Sequence, residues 1–262
     1  MTIKLKYPII LVHGLAVKDK RVFWGRIPKR LQEAGLNVYP GKTDSWGSFE
    51  SNAHLLAKTI DEVLALHQCE KVNIIAHSKG GIDSRFLISS LGYAGKVAGL
   101  TTIATPHHGS EIVDFILERR AIYSPKAKQI INSLVKVYGD KSPDPYRIAA
   151  ELSTEGMKEF NRNNPDHPGV RYSSYHSILK DSLDDLYCSY TFNFLRKIAG
   201  ENDGIVSLKS ARWGTDFTLI EGLKKSGISH LDIIDLKRKK VSGLDIPAQY
   251  LKIVEKLMER GC

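Results

Sequence analysis

The sequence predicts an α/β fold with a mostly parallel central sheet and helices on both faces. It reads as one domain over 1–262, with a helical insertion over 111–164. Three observations lead there. Short apolar runs rich in branched residues alternate with amphipathic segments, the pattern of βαβ units. One such run, 72–76, stops abruptly at a serine in Ala76-His77-Ser78-Lys79-Gly80 and is followed by helical text. The alternation then fails over one block, 111–164, which carries helical patches and no convincing strand.

Taken in order, residues 8–12 (Pro-Ile-Ile-Leu-Val) form a first strand, with His13-Gly14-Leu15-Ala16 as a tight loop after it. Ile27 and Leu31 give 24–34 a helical period, and Gly35 stops it. Residues 37–39 are a short strand and 41–51 a loop. Leu55, Leu56, Ile60, Val63 and Leu64 make 52–67 an amphipathic helix. The run 72–76 is too short for a helix, and its branched side chains suit a buried strand. Ile82, Phe86, Leu87 and Leu91 continue as a helix that Gly92 ends. Residues 99–104 form another strand, leading into Thr105-Pro106-His107-His108-Gly109-Ser110. Within the insertion, Ile112, Phe115 and Ile116, then Ile130, Ile131, Leu134, Val135 and Tyr138, mark helices. Asp140-Lys141-Ser142-Pro143-Asp144-Pro145 interrupts them. Apolar helices broken by loops near a reactive edge read equally as a lid or as a fixed cap. Residues 169–176 return to strand, 186–199 read as a helix or a strand plus a helix, 217–220 as a last strand, and 247–258 as a terminal helix.

Composition bounds the function. At 262 residues, 42% hydrophobic and 26% charged, the chain has a globular composition. No apolar run approaches the roughly 18 residues of a membrane helix, so no integral membrane segment is expected. The run at 8–12 is too short for a signal-peptide core and no small-residue cleavage site follows, so a cytoplasmic location is expected, with secretion by another route left open. Three cysteines, an odd number without metal spacing, read as free thiols in a reducing compartment. The net charge of +9 is dispersed, and its densest run, 237–240, carries no interleaved aromatics. It reads as solvated surface, without a nucleic-acid partner; attraction to anionic interfaces is a secondary reading.

Ala-His-Ser-Lys-Gly has the spacing of a nucleophile elbow, with Ala76 where the first glycine is usual. The serine sits at the apex of a sharp strand-to-helix turn, and the residues two before and two after it must be small. A serine hydroxyl is a weak nucleophile and needs a histidine to take its proton and a carboxylate to orient the imidazole. Such groups lie in loops beyond strand C-termini, in the chain order Ser, acid, His. Of the later histidines, His107 and His108 come too soon, His167 lies in a Pro/Asn-rich loop, and His176 needs an acid upstream. His230 follows the last strand. Acids before it are Asp181, Asp184, Asp185, Asp203 and Asp216. Asp203 projects from an Asn-Asp-Gly turn. On these residues alone, an ordinary turn and a surface histidine are equally good readings. The oxyanion hole needs two backbone N–H groups, for which Lys79 and Leu15 are placed after the elbow and the first strand. His13 reads as a loop brace.

Together these motifs resemble the bacterial true lipases of the Pseudomonas and Burkholderia type, within the α/β-hydrolase superfamily. Pro-Ile-Ile-Leu-Val-His-Gly-Leu, 72–81, Ser84-Arg85-Phe86, 105–110, Gly169-Val170-Arg171-Tyr172, 202–207 and His230-Leu231-Asp232 carry the resemblance. It implies an α/β-hydrolase fold, with Ser78 as nucleophile, Asp203 as acid, His230 as base, and Leu15 and Lys79 as oxyanion donors. It implies an enzyme that hydrolyses carboxylic esters without a cofactor for the chemistry, with acylglycerol as the leading substrate and contact with a lipid–water interface. A short-chain esterase or an acyltransferase with the same triad is the runner-up, and a non-enzymatic lipid-surface binder the alternative of another class. The family also holds a structural calcium near the histidine loop. Asp232 matches one carboxylate ligand; the other falls in the 181–185 cluster, where Asp184 is the choice. Leu236 stands where the family has a glutamine ligand, and neither Cys69 nor Cys188 suits the family disulfide. Asp232 therefore reads either as a calcium ligand or as a brace for its loop. Lys79 beside the nucleophile would favour the oxyanion or reduce the basicity of the histidine.

Overall fold

The computed structural model describes residues 4–15, 23–118 and 140–262. Among them, six strands form one parallel sheet in the order β2-β1-β3-β4-β5-β6. The strands are β1 (Ile9–Val12), β2 (Val38–Pro40), β3 (Val72–His77), β4 (Val97–Ile103), β5 (Arg171–His176) and β6 (Phe217–Leu219). The helices are α1 (Ile27–Glu33), α2 (Phe49–His67), α3 (Lys79–Ser89), α4 (Glu111–Leu117), α5 (Pro145–Leu152), α6 (Thr154–Asn163), α7 (Ser189–Ile198), α8 (Leu208–Ala211) and α9 (Ile246–Glu259). This is the α/β-hydrolase fold.

The buried strands β1, β3 and β4 explain why the early runs are apolar without alternation: helices cover both faces. Successive side chains still point to opposite faces. Ile9, Leu11 and Ile75 pack with Ile27 and Leu31 of α1 and Tyr250, Ile253 and Val254 of α9. Ile10, Val12, Ile74 and Ala76 pack with Leu56 and Ile60 of α2 and Leu87 of α3. Strand order reverses between β1 and β3. Their C-terminal ends, His13-Gly14-Leu15 and Ser78, therefore flank the crevice where open α/β sheets place their sites.

Element edges differ from the sequence reading for local reasons. The first helix begins at Ile27, after Gly25 turns with φ +51°, rather than at 24. The second begins at Phe49, because Ser48 caps it by accepting from the Ser51 N–H at 3.2 Å. Residues 186–199 resolve into one helix, Ser189–Ile198. In the insertion, Ser110, Asp144 and Ser153 cap α4, α5 and α6. Ile148, Leu152, Met157 and Phe160 pack on Phe49 and Ile82, so α5 and α6 sit over the elbow helix. The helical patch expected at 130–138 lies outside the described residues. Cys69, Cys188 and Cys262 are unbridged. No helix among the described residues is long and apolar enough to cross a membrane.

Candidate active site

Ser78 stands at the C-terminal end of β3 with φ +53° and ψ −131°, a backbone region costly for any residue with a Cβ. Hydrogen bonds hold it there. Its N–H donates to the Ile103 carbonyl at 2.8 Å, and its carbonyl accepts from the Thr105 hydroxyl at 2.8 Å and the Gly81 N–H at 3.0 Å. Two glycines make room. A Cβ on Gly80 would collide with the His13 carbonyl oxygen, and one on Gly14 would lie 2.7 Å from the Ser78 Cβ. The loop after β1 thus passes directly against the serine, which is 9% exposed.

Lys79 is the first residue of α3, so its backbone N–H has no partner within the helix and faces out of the positive helix end. Leu15 is half-buried in the turn after β1 and packs against the cluster over α3. His13 contacts carbonyl oxygens through both ring nitrogens, Nδ1 at 2.8 Å from Gly14 and Nε2 at 3.1 Å from Thr43. It joins the β1 loop to the loop before α2.

His230 and Asp203 come from distant loops and meet. His230 Nδ1 lies 2.7 Å from Asp203 Oδ2. A carboxylate only accepts, so Nδ1 carries the proton and Nε2 keeps a lone pair. Asp203 is itself held by its turn: Oδ1 accepts from the Ile205 and Val206 N–H groups at 2.9 and 2.8 Å, and its carbonyl accepts from the His230 N–H at 2.9 Å. Burial would raise its pKa, but the two neighbouring imidazoles and these hydrogen bonds outweigh it and hold the carboxyl below the ordinary value.

Two further imidazoles crowd this pair. His77, inside the elbow, lies with its ring centroid 4.5 Å from that of His230 and donates from Nε2 to the His230 carbonyl at 3.2 Å. Burial, then the neighbouring His230, push its pKa well down, so it stays neutral. His176, at the end of β5, has Nδ1 3.7 Å from Asp203 Oδ2, and burial lowers its pKa to about 4. By chain order His176 needed an acid upstream; the Leu179 N–H, donating to the Asn202 carbonyl at 2.9 Å, ties the segment after β5 to the Asp203 turn and sets His176 beside the acid. His107 is a structural group. It stacks on Trp213, accepts from Arg85, and donates to the Thr102 hydroxyl at 3.0 Å.

The charges around the site are paired. The Lys79 ammonium turns away along α3 to Asp83, at 2.7 and 3.0 Å from its two oxygens, with both side chains no more than 2% exposed. Burial pushes Asp83 up to about 6 against the pull of Lys79. Asn52 donates to Asp83 at 2.8 Å and accepts from the Asp44 N–H at 2.9 Å. Asp44 in turn accepts from the N–H groups of Lys141 and Ser142. A chain of polar contacts therefore runs from the elbow to Lys141 and Ser142, in the loop that leads into α5.

On the histidine side, the carboxylate that shares a partner with Asp232 is Asp185, not Asp184. Asp184 Oδ2 is committed to the backbone N–H groups of Lys180, Asp181 and Gly227. Asp185 and Asp232 are both buried, and each lies 3.0 Å from the ammonium of Lys237. Partial burial works against that charge, but the two carboxylates outweigh it and raise the Lys237 pKa. Lys237 belongs to the run read as solvated surface, yet its side chain is only 27% exposed. Among the described residues, no group of three or more His, Cys, Asp or Glu side chains converges as a metal site.

A profile of the family described as "PGAP1-like alpha/beta domain" matches residues 46–123, the stretch that contains the elbow. The chain is 28% identical to triacylglycerol lipase 2 of Saccharomyces cerevisiae over 258 residues, 91% of this chain and 74% of that protein. It is 34% identical to a triacylglycerol lipase of Pseudarthrobacter phenanthrenivorans over 175 residues, 61% of this chain and 54% of that protein. The chain thus spans about half the length of this bacterial relative. The mature form of Bacillus licheniformis lipase BlEst2 superposes with a TM-score of 0.69 at 24% identity, covering 97% of this chain and 94% of that one. That likeness establishes the fold. The fold is thus that of the α/β-hydrolases, with a serine at the elbow position of its third strand.

Proposed function

We propose that the chain is an ester-hydrolysing serine hydrolase, and specifically a lipase acting on acylglycerols through Ser78, His230 and Asp203. The observation that carries the triad is the 2.7 Å contact between His230 Nδ1 and Asp203, which leaves Nε2 as the base, while His77 of the elbow holds the His230 carbonyl at 3.2 Å. In the reaction, Ser78 Oγ attacks the ester carbonyl carbon while His230 Nε2 takes its proton. The N–H groups of Lys79 and Leu15 donate to the oxyanion. The alcohol leaves with the proton from His230, a water then attacks the acyl-enzyme with His230 again as base, and the fatty acid departs from a restored Ser78.

The substrate class rests on the relatives, which are named triacylglycerol lipases. The apolar packing of α5 and α6 over the elbow supports a lid and an acyl-binding role for the insertion. Contact with a lipid–water interface is supported by Leu183, Leu186, Tyr187 and Tyr190, which stand between 74% and 87% exposed along one loop and helix start.

The test is covalent labelling by a serine-directed phosphonate, mapped by mass spectrometry. Ser78 should carry the label, and Ser78→Ala should abolish p-nitrophenyl ester turnover with the fold intact. Wild-type-like turnover in that variant would end the assignment. A series of glycerol esters of increasing acyl length separates a lipase from a short-chain esterase. Transfer of the acyl group to an added alcohol in preference to water would favour an acyltransferase.

A further inference from the structure

The loop that carries His230 is tied to the loop before α7 through two buried acids. Asp185 and Asp232 turn their carboxylates toward each other's loops, with side chains 1% and 2% exposed. Two anions buried together need a cation between them. Asp185 Oδ2 also accepts from the Ser229 hydroxyl at 2.5 Å, and Ser229 Oγ accepts from the Asp232 N–H at 3.1 Å. Ser229 precedes His230, so this cluster sets where the histidine begins. Asp232 Oδ1 has no hydrogen-bond partner among the described residues, and the Lys237 ammonium at 3.0 Å meets its charge.

The resemblance implies a calcium ion in this region, but the residues present do not fit one. Calcium takes six to eight oxygens at roughly 2.3–2.6 Å. Here the centre between the carboxylates is filled by a side chain of the same molecule, at the separation of an ammonium–carboxylate pair. Asp184, the expected second carboxylate, is consumed by three backbone N–H groups.

We propose that Lys237 is a built-in cation: its ammonium stands between Asp185 and Asp232 in the place of a divalent ion, so the histidine loop is held without calcium. The two acids remain as a latent calcium site that the lysine covers.

Thermal unfolding of the whole chain in excess EDTA and in millimolar calcium tests this, and does not depend on catalysis. The wild-type Tm should be the same in both. Lys237→Met should lower Tm in EDTA by on the order of 10 °C, the scale set by leaving two buried carboxylates without a counter-ion. Calcium should restore part of that loss, and Asp232→Asn added to Lys237→Met should remove the restoration. Lys237→Arg, which keeps the charge, should stay near wild type in EDTA and serves if Lys237→Met does not fold. A wild-type Tm that falls in EDTA and recovers with calcium would overturn the proposal. So would a Lys237→Met chain as stable as wild type, or one whose loss calcium does not restore, or a Lys237→Arg chain that loses as much Tm in EDTA as Lys237→Met or fails to fold.

Discussion

Two lysine–aspartate clusters flank the site, and they are built in opposite ways. Lys79 and Asp83 are four residues apart on one helix, begin at the elbow, and are sealed from water. Lys237 joins Asp232 to Asp185, from which the lysine is 52 residues distant in sequence, and keeps part of its stem in solvent. The elbow half of the site is therefore made by one strand–turn–helix, whereas the histidine half is assembled from loops that meet only in the folded chain. A local pair holds the cation beside the serine away from the chemistry. A long-range one sets the position of the histidine loop. The expectation that Lys79 would act on the oxyanion or on the histidine through its charge gives way to this geometry, because Asp83 neutralises it within the same helix.

The largest effect should come from breaking the long-range half at the contact between His230 and Asp203. Asp203→Asn should keep the fold, since its side-chain oxygen still accepts from Ile205 and Val206, yet lower ester turnover by roughly 10⁴, because the amide can favour the wrong imidazole tautomer. Single-turnover kinetics with an activated ester checks this; unchanged turnover would move the acid's role elsewhere.

Next comes the sealed local pair. Lys79→Met leaves Asp83 buried with Asn52 as its remaining partner and should cost about 3–5 kcal/mol, read by urea unfolding at neutral pH. Lys79→Met combined with Asp83→Leu should recover most of that, since no charge is then buried. The sign of the pH dependence follows from Asp83. Its folded pKa, about 6, already lies above the ordinary aspartate value, and losing Lys79 raises it further. The single variant should therefore be least stable at high pH and recover as pH falls through that folded pKa.

A smaller effect sits between the halves. The folded pKa of His176, about 4, lies below the unfolded value of about 6.5, so the unfolded chain binds more protons between them and stability falls as pH drops. His176 should account for about 3 kcal/mol of that acid loss. Unfolding free energy measured from pH 7 to pH 4 should fall less steeply in His176→Gln than in wild type; identical slopes would assign the acid limb to other groups. The smallest effect belongs to the exposed pair of Lys42 and Glu62, at 2.8 Å: Glu62→Gln should not move Tm measurably, because solvent screens the charges.

The elbow half was largely legible in the sequence. The strand expected at 72–76 runs Val72–His77, and Gly80 must be small because the His13 carbonyl lies where its side chain would go. The histidine half was not. On the residues alone Asp203 read equally as an ordinary turn, and only the family resemblance singled it out. Asp184 and Asp185 are adjacent, and which one faces Asp232 depends on the turn that Asp184 caps. Lys237 looked like one more surface charge in a basic run. His176 read as fitting only with an acid upstream, although the loop contact between Leu179 and Asn202 sets it beside the downstream Asp203.

By itself the sequence determined the alternation of strands and helices, the sharp turn at Ser78, and the small residues that turn requires. These follow from side-chain periodicity and backbone sterics, which act between neighbours in the chain. Only the tertiary structure decided which imidazole meets which carboxylate, and which lysine stands between two buried acids. Those pairings arise when parallel strands set distant loops side by side, and the cost of burying each charge then selects the partner that neutralises it.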